Sequence, residues 1–334
     1  MSASVRGRQT LTPTLADIQV PVRAGLDRVS EDLRRIILAQ LPLIDEVNSH
    51  LLLMKGKMFR PTLVLLSSAV EGKEEARATT LAAILELVHL ATLVHDDSVD
   101  HSALRRGMPT VNSLFSHQVS VIMGDFLYSR AVVELVRASD LEVLRVLSDA
   151  TNAMTVGEMR QLTALDALGF TEDDYEALIR SKTASLLSAA CEIGALAGAR
   201  SRRVALARYG ERLGMAFQVA DDLLDYTSDE RVTGKPCGLD LREHKVTLPL
   251  IAALRTMSPA ERRDVDALFD TQEPADEQIA RVVEIVSDRG GLDYARRRGD
   301  EYAREAEHAL AELPDTAARG ALYDAIAYAL DRSQ

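Results

Sequence analysis

The chain has 334 residues, 47% hydrophobic and 27% charged, which is enough apolar material for a large core. A net charge of −12 argues against nonspecific nucleic-acid binding, because any basic site would act against the global field. The two cysteines, Cys191 and Cys237, provide neither a disulfide framework nor a metal cluster, and they suit a reducing cytoplasm.

Aromatics make up 4% and Trp is absent, while Leu, Ala, Arg and Glu abound. Such side chains lose little freedom in helices, so helix is expected throughout. Met1–Gln9 is polar and lacks the apolar core of a signal peptide. Residues 1–13 are expected to form a loose tail ahead of one all-helical domain over 14–334, since no Pro/Gly/Ser-rich linker divides that span. From Thr14 to Leu43, apolar residues (Leu15, Ile18, Val22, Leu26, Val29, Leu33) recur in three- and four-residue steps, as on a helix face. Thr62–Ala69 and Thr79–Val99 are apolar on nearly all sides, as central helices are. No apolar run reaches the ~20 residues needed to span a bilayer. Breaks are expected at Glu71-Gly72-Lys73, at Arg105–Pro109 and around Gly169-Phe170-Thr171, where Thr171 and Asp174 have N-cap spacing. Ser181–Gly198 and Arg203–Tyr226 read as two long helices. Ser228–His244 places Gly234, Pro236 and Gly238 among charges and reads as a loop of the length that is functional or disordered. Helix restarts near Thr247-Leu248-Pro249, and Pro314 breaks it before a last helix.

Two copies of Asp-Asp-x-x-Asp stand out, Asp96-Asp97-Ser98-Val99-Asp100 and Asp221-Asp222-Leu223-Leu224-Asp225. Residues four apart share a helix face, so Asp96 projects with Asp100 and Asp221 with Asp225. Like charges at that spacing oppose the helix by about 0.2–0.5 kcal/mol per pair. One such motif in an acidic chain reads as a solvated face. Two copies in apolar frames point instead to a bound cation, and oxygen-only ligands favour a hard one such as Mg²⁺, which keeps room for substrate phosphates.

Basic groups suited to phosphate accompany them. Lys57 and Arg60 are three apart just before Pro61, with Gly56 letting the backbone approach closely, and Arg105-Arg106-Gly107 follows the first motif by five residues. Guanidinium binds phosphate oxygens bidentately. Lys182-Thr183 lies in a long helix, Phe217-Gln218 sits one turn before the second motif, and Lys235 and Lys245 flank the following loop. His89 lies just under two turns before Asp96, close to the same face. Each residue alone has a structural reading: a solvated loop, an ion pair, or a satisfied core histidine. Six aspartates beside a set of Lys and Arg make a site suited to ionising a diphosphate ester.

The motif order resembles the trans-isoprenyl diphosphate synthases of the polyprenyl synthetase family from about Lys55 to Pro249. It runs Gly56–Pro61, His89 with His95–Asp100, Arg105–Gly107, Gly124-Asp125, Gly157-Glu158 with Gln161, Lys182-Thr183, Phe217-Gln218 with the second motif, Thr233–Lys235, and Lys245–Pro249. Lys55 stands where a second Gly is frequent, and His244 where Gly often precedes the lysine. The resemblance implies an all-α isoprenoid synthase-like fold, a single large bundle of long helices around a central active-site cavity, assembled as a homodimer. It also implies Mg²⁺, three ions per site, held by Asp96, Asp100, Asp221 and Asp225, with Asp97 and Asp222 as further ligands or outer acceptors. Arg105, Lys182, Thr183, Gln218, Lys235 and Lys245 would take the allylic diphosphate. Lys57, Arg60, His89 and Arg106 would take isopentenyl diphosphate.

Val88, Ala91 and Thr92, beneath the first motif, are not aromatic, although members that stop early commonly carry a bulky ring at the position of Ala91 or Thr92. A deep tunnel and products beyond about twenty carbons are therefore expected, with Met123 and Phe126 as alternative floors that would instead make it a short-chain synthase stopping at about fifteen or twenty carbons. A class I terpene cyclase would not need the second Asp-Asp-x-x-Asp or Lys57 and Arg60, and a noncatalytic partner subunit would not need both motifs. No nucleic acid and no transmembrane segment are expected, although an apolar product leaves room for peripheral membrane contact.

Overall fold

This computed structural model describes residues 12–54, 56–73, 75–163, 167–227 and 238–331. The tail up to residue 11, Lys55, and Ser228–Cys237, with Lys235 among them, lie outside the described residues. The expected first helix is interrupted: α1 (Leu15–Gln19) passes through a 3₁₀ turn, Val20–Val22, into α2 (Arg23–Ile37), and α3 follows at Pro42–Leu53. Pro21 sits in that turn, where its missing N–H and fixed φ end the α ladder. The apolar steps survive the break, for Ile18, Val22, Val29, Leu33 and Ile36 are all buried.

Next come α4 (Phe59–Ala69) and α5 (Arg77–Val99). By length and apolar composition α5 is the one helix among the described residues able to cross a bilayer, but α2, α4, α7 (His117–Ala138) and α10 (Ser185–Gly198) pack around it. It is the central core helix. Between α5 and the short α6 (Val111–Leu114) stands the small hairpin of β1 (Leu104–Arg105) and β2 (Met108–Pro109), pairing Arg105 with Met108. Arg106 and Gly107 both have positive φ, as a two-residue loop of the type I′ kind requires.

After α8 (Leu141–Thr163), α9 (Glu172–Ile179) starts on the expected Thr171 cap and becomes a π-helical turn, Arg180–Ala184, before α10. The helix expected from Ser181 therefore begins nine residues earlier, and Lys182 and Thr183 lie in its widened turn. Then follow α11 (Arg203–Thr227), α12 (Leu239–Arg242), α13 (Leu248–Leu254), α14 (Pro259–Phe269), α15 (Asp276–Asp288), α16 (Gly291–Leu310) and α17 (Ala317–Leu330). One hydrophobic cluster runs through them from Ile18 to Ala329. Among the described residues this is an all-α bundle apart from the hairpin.

Candidate active site

The C-terminal end of α5 carries the first acidic motif. Asp100 caps the helix, its N–H donating to the Asp96 carbonyl at 2.8 Å. Burial, reinforced by Glu158 and Asp100 against Lys182 and Arg105, pushes the Asp96 carboxyl up to about 6. Asp97 is buried and accepts from Arg105 through Nε at 2.8 Å and Nη2 at 2.7 Å, both on Oδ1. The hairpin turn sends the two arginines apart: Arg106 instead donates through Nη1 to the Met54 carbonyl at 3.0 Å.

Arg106 thereby joins Arg60 in acting on His89. Arg60 Nη1 donates to His89 Nε2 at 2.9 Å. Guanidinium has no acceptor, so the imidazole proton resides on Nδ1. Burial and then Arg60, Arg106 and Arg105 hold His89 well below its ordinary value, so it is neutral. Lys57 Nζ reaches Tyr328 Oη on α17 at 3.2 Å. Glu86 lies among these cations, its carboxyl raised by burial against Arg60 and Arg106, and its Oε2 has no hydrogen-bond partner. Pattern reading missed Glu86 and Tyr328. Both lie on helix faces that read only as core.

The second motif lies near the end of α11, facing a cavity of about 440 Å³ lined by Gln161, Lys182, Thr183, Gln218, Asp221, Asp222, Asp240 and Lys245, among others. Asp221 and Asp222 both line it. Asp222 is only 5% exposed and receives Tyr175 Oη at 2.5 Å and Gln218 Nε2 at 2.8 Å. Burial and then Asp240 push it up to about 8 against those donors. Gln218 Oε1 in turn accepts from Thr183 at 2.7 Å. Asp225 does not line the cavity: its carboxylate oxygens accept the N–H groups of Leu239 at 3.1 Å and Asp240 at 3.0 Å, fastening the start of α12. Each of those oxygens keeps a second lone pair.

Two cations that line this cavity act on the first motif, whose aspartates do not line it. Lys182 Nζ contacts Glu158 at 2.5 Å and Gln161 at 2.7 Å, and its charge acts on Asp96. Lys245 pairs with Glu243 at 2.5 Å, and its pKa is raised against burial by Glu243, Asp240 and Asp100. Asp240, pushed up to about 7 by burial and Asp225, is a cavity carboxyl that had no separate sequence signal. His244, before Lys245, has φ 55° in the region glycine favours, and it is held there by the Thr271 carbonyl at 2.9 Å and the Phe269 ring. That conformation explains why Gly suits the position. Val88, Ala91 and Met123 are buried in the core, Thr92 and Phe126 are partly exposed, and none of the five lines this cavity.

Among the described residues no three His, Cys, Asp or Glu side chains already form a metal cage. The donor set is nonetheless all oxygen, and carboxyls lifted by burial are those whose charged form a hard divalent cation stabilises.

The sequence profile of the polyprenyl synthetases matches residues 41–286. The chain belongs to the polyprenyl synthetase family. It is 39% identical over 320 residues to the all-trans-nonaprenyl-diphosphate synthase (geranyl-diphosphate specific) of Rhodobacter capsulatus, covering 95% of this chain and 98% of that protein. It is 38% identical over 298 residues to the octaprenyl diphosphate synthase of Escherichia coli, covering 89% and 92%. The polyprenyl synthase of Caulobacter crescentus, crystallised with calcium and isoprenyl diphosphate, superposes with a TM-score of 0.90 at 32% identity, over 97% of this chain and 100% of that one. This polyprenyl synthetase is thus a prenyltransferase that joins isopentenyl diphosphate to an allylic diphosphate, and divalent metal accords with its donor set.

Proposed function

We propose that this prenyltransferase builds an all-trans polyprenyl diphosphate longer than about twenty carbons, with Mg²⁺ as its metal, three ions per site, and one domain over 14–334. The observation that carries the reading is the double facing of charge: Lys182 acts on Asp96 of the first motif, and Lys245 feels both Asp100 and the Asp240 beside the second. Asp96, Asp100, Asp221 and Asp225 would hold the ions, whose positive charge stabilises the departing pyrophosphate when they are bound. Arg105, Lys182, Thr183, Gln218, Lys235 and Lys245 bind the allylic diphosphate, Arg105 being aimed by Asp97. Lys57, Arg60, His89 and Arg106 grip isopentenyl diphosphate. The allylic C–O bond breaks with its electron pair going to pyrophosphate. The isopentenyl double bond then attacks the cation, and the proton released in forming the new double bond passes to pyrophosphate. Neutral His89 orients and does not compete for that proton. The cation must be kept from water, which would quench it.

Val88, Ala91, Thr92, Met123 and Phe126 would border the path of the growing chain. The named relatives support long products: octaprenyl and nonaprenyl synthases among the sequences, and a decaprenyl diphosphate synthase of Rhodobacter capsulatus among the structures, with a TM-score of 0.90 at 34% identity. The working form is a cytoplasmic homodimer that meets a membrane surface only to release product.

The test incubates protein with Mg²⁺, labelled isopentenyl diphosphate and allylic diphosphates of increasing length, then separates the dephosphorylated products. Elongation past twenty carbons is expected. A stop at fifteen or twenty refutes the chain-length reading, and no elongation from any primer refutes the activity.

A further inference from the structure

We infer that Tyr175 is a positioning residue of the second acidic motif, anchoring a hydrogen-bond ring that locks the π-helical turn carrying Lys182 to the carboxylates of α11. The inference rests on the metal and diphosphate reading of this cavity.

The ring is continuous. Tyr175 on α9 donates to Asp222 Oδ2 at 2.5 Å, Gln218 donates to Asp222 Oδ1 at 2.8 Å, and Thr183 donates to Gln218 Oε1 at 2.7 Å. Tyr175 and Thr183 belong to one helical run, on either side of the start of the π turn at Arg180. Two anchors on α11 therefore grip that run across the point where its ladder widens. A π turn survives inside an α-helix where function keeps it, and it needs support because its bonding is less favourable than the α ladder.

The first anchor is fixed from outside. Tyr175 is only 2% exposed, and the flanking α9 residues are held to α16: Glu172 accepts from Tyr294 at 2.9 Å, and Glu176 from Tyr302 at 2.6 Å and Arg298 at 2.5 Å. The hydroxyl is thus a rigid donor and not a side chain adapting to Asp222. Both Asp222 oxygens are engaged, and Asp222, Asp221 and the Lys182 of the π turn all line the same cavity. Isopentenyl diphosphate, gripped by Lys57, Arg60, His89 and Arg106, makes no use of the ring.

Tyr175→Phe removes the donor and keeps the ring that fills the core. On the full-length protein, calorimetric titration with inorganic pyrophosphate in Mg²⁺ should show affinity falling about tenfold, in keeping with the cost of losing partners behind metal ligands. The Mg²⁺ concentration for half-maximal turnover should rise by a similar factor, kcat should fall, and KM for isopentenyl diphosphate should stay within about twofold. Unchanged pyrophosphate affinity and Mg²⁺ requirement would overturn the inference. So would a parallel loss of both substrates with a lowered melting temperature, the mark of a purely structural tyrosine. If Tyr175→Phe does not fold, Asp222→Asn takes its place: the same selective loss is expected, and wild-type affinity would overturn the ring. A wild-type protein that binds no pyrophosphate with Mg²⁺ would refute the underlying site reading itself.

Discussion

Gly214→Ala separates packing from catalysis more sharply than any charge removal. Gly214 lies on α11 where the helix crosses the π turn, and a Cβ there would stand 2.5 Å from Ala184 Cα and 2.9 Å from its Cβ. Restoring ordinary carbon contact requires the turn or the helix to move by roughly 1 Å. Overpacking of this kind costs about 1–3 kcal/mol. Alanine's helix preference over glycine returns about 1 kcal/mol, leaving a net loss of about 0–2 kcal/mol. For a chain this size that is a fall in melting temperature of a few degrees. The same shift carries Lys182 and Thr183, and a misplacement near 1 Å costs about a hundredfold in rate. Gly194→Ala is the control: its Cβ would run into the Val64 carbonyl, between α10 and α4, away from the cavity. We expect both variants to lose stability and only Gly214→Ala to lose turnover, measured as pyrophosphate release at saturating substrate beside thermal melts. Gly214→Ala turning over within about threefold of wild type, or Gly194→Ala losing as much, would refute the reasoning.

Asp96→Ala or Asp221→Ala should cut turnover by about two orders of magnitude or more with the circular dichroism unchanged, and near-normal rates in either would remove that residue from the metal site. Chelation should abolish product formation and Mg²⁺ restore it, with activity persisting in excess chelator as the contrary result. His89 stays neutral when folded but takes a proton when unfolded below its ordinary 6.5, so stability falls as pH drops through that value toward the depressed folded pKa. Melting temperature should therefore fall less in His89→Gln than in wild type between about pH 7 and 5, and parallel curves would deny that burial. Ala91→Phe should shorten the products on chromatography, and an unchanged distribution would place the floor elsewhere.

Spacing and residue type made the acidic motifs and most of the cations readable in the sequence, because a period of 3.6 says which side chains share a face. It says nothing of which neighbour that face meets. Lys57 and Tyr328 are 271 positions apart, and Tyr175 and Asp222 are 47 apart. Glu86, inside an apolar helix, looks like an interruption until Arg60 and Arg106 surround it. The π turn had no signature in the composition of Arg180–Ala184, and its close fit against α11 at Gly214 shows only in the fold. Pro21 was visible as a residue, yet the buried apolar steps on either side concealed the break it makes.

The two Asp-Asp-x-x-Asp copies, alike on paper, are not equivalent. In the first, the middle carboxylate Asp97 takes two bonds from the charged Arg105, which favours its ionised form against burial. In the second, the middle carboxylate Asp222 takes its two bonds from a phenol and an amide, neutral donors that offset burial less, and it is pushed up to about 8. Replacing Asp97 by Asn should therefore release Arg105 and weaken binding of the allylic diphosphate. Replacing Asp222 by Asn should leave Arg105 aimed and loosen the turn behind Lys182. The duplication repeats a spacing, and the difference in function comes from what the fold sets against each copy.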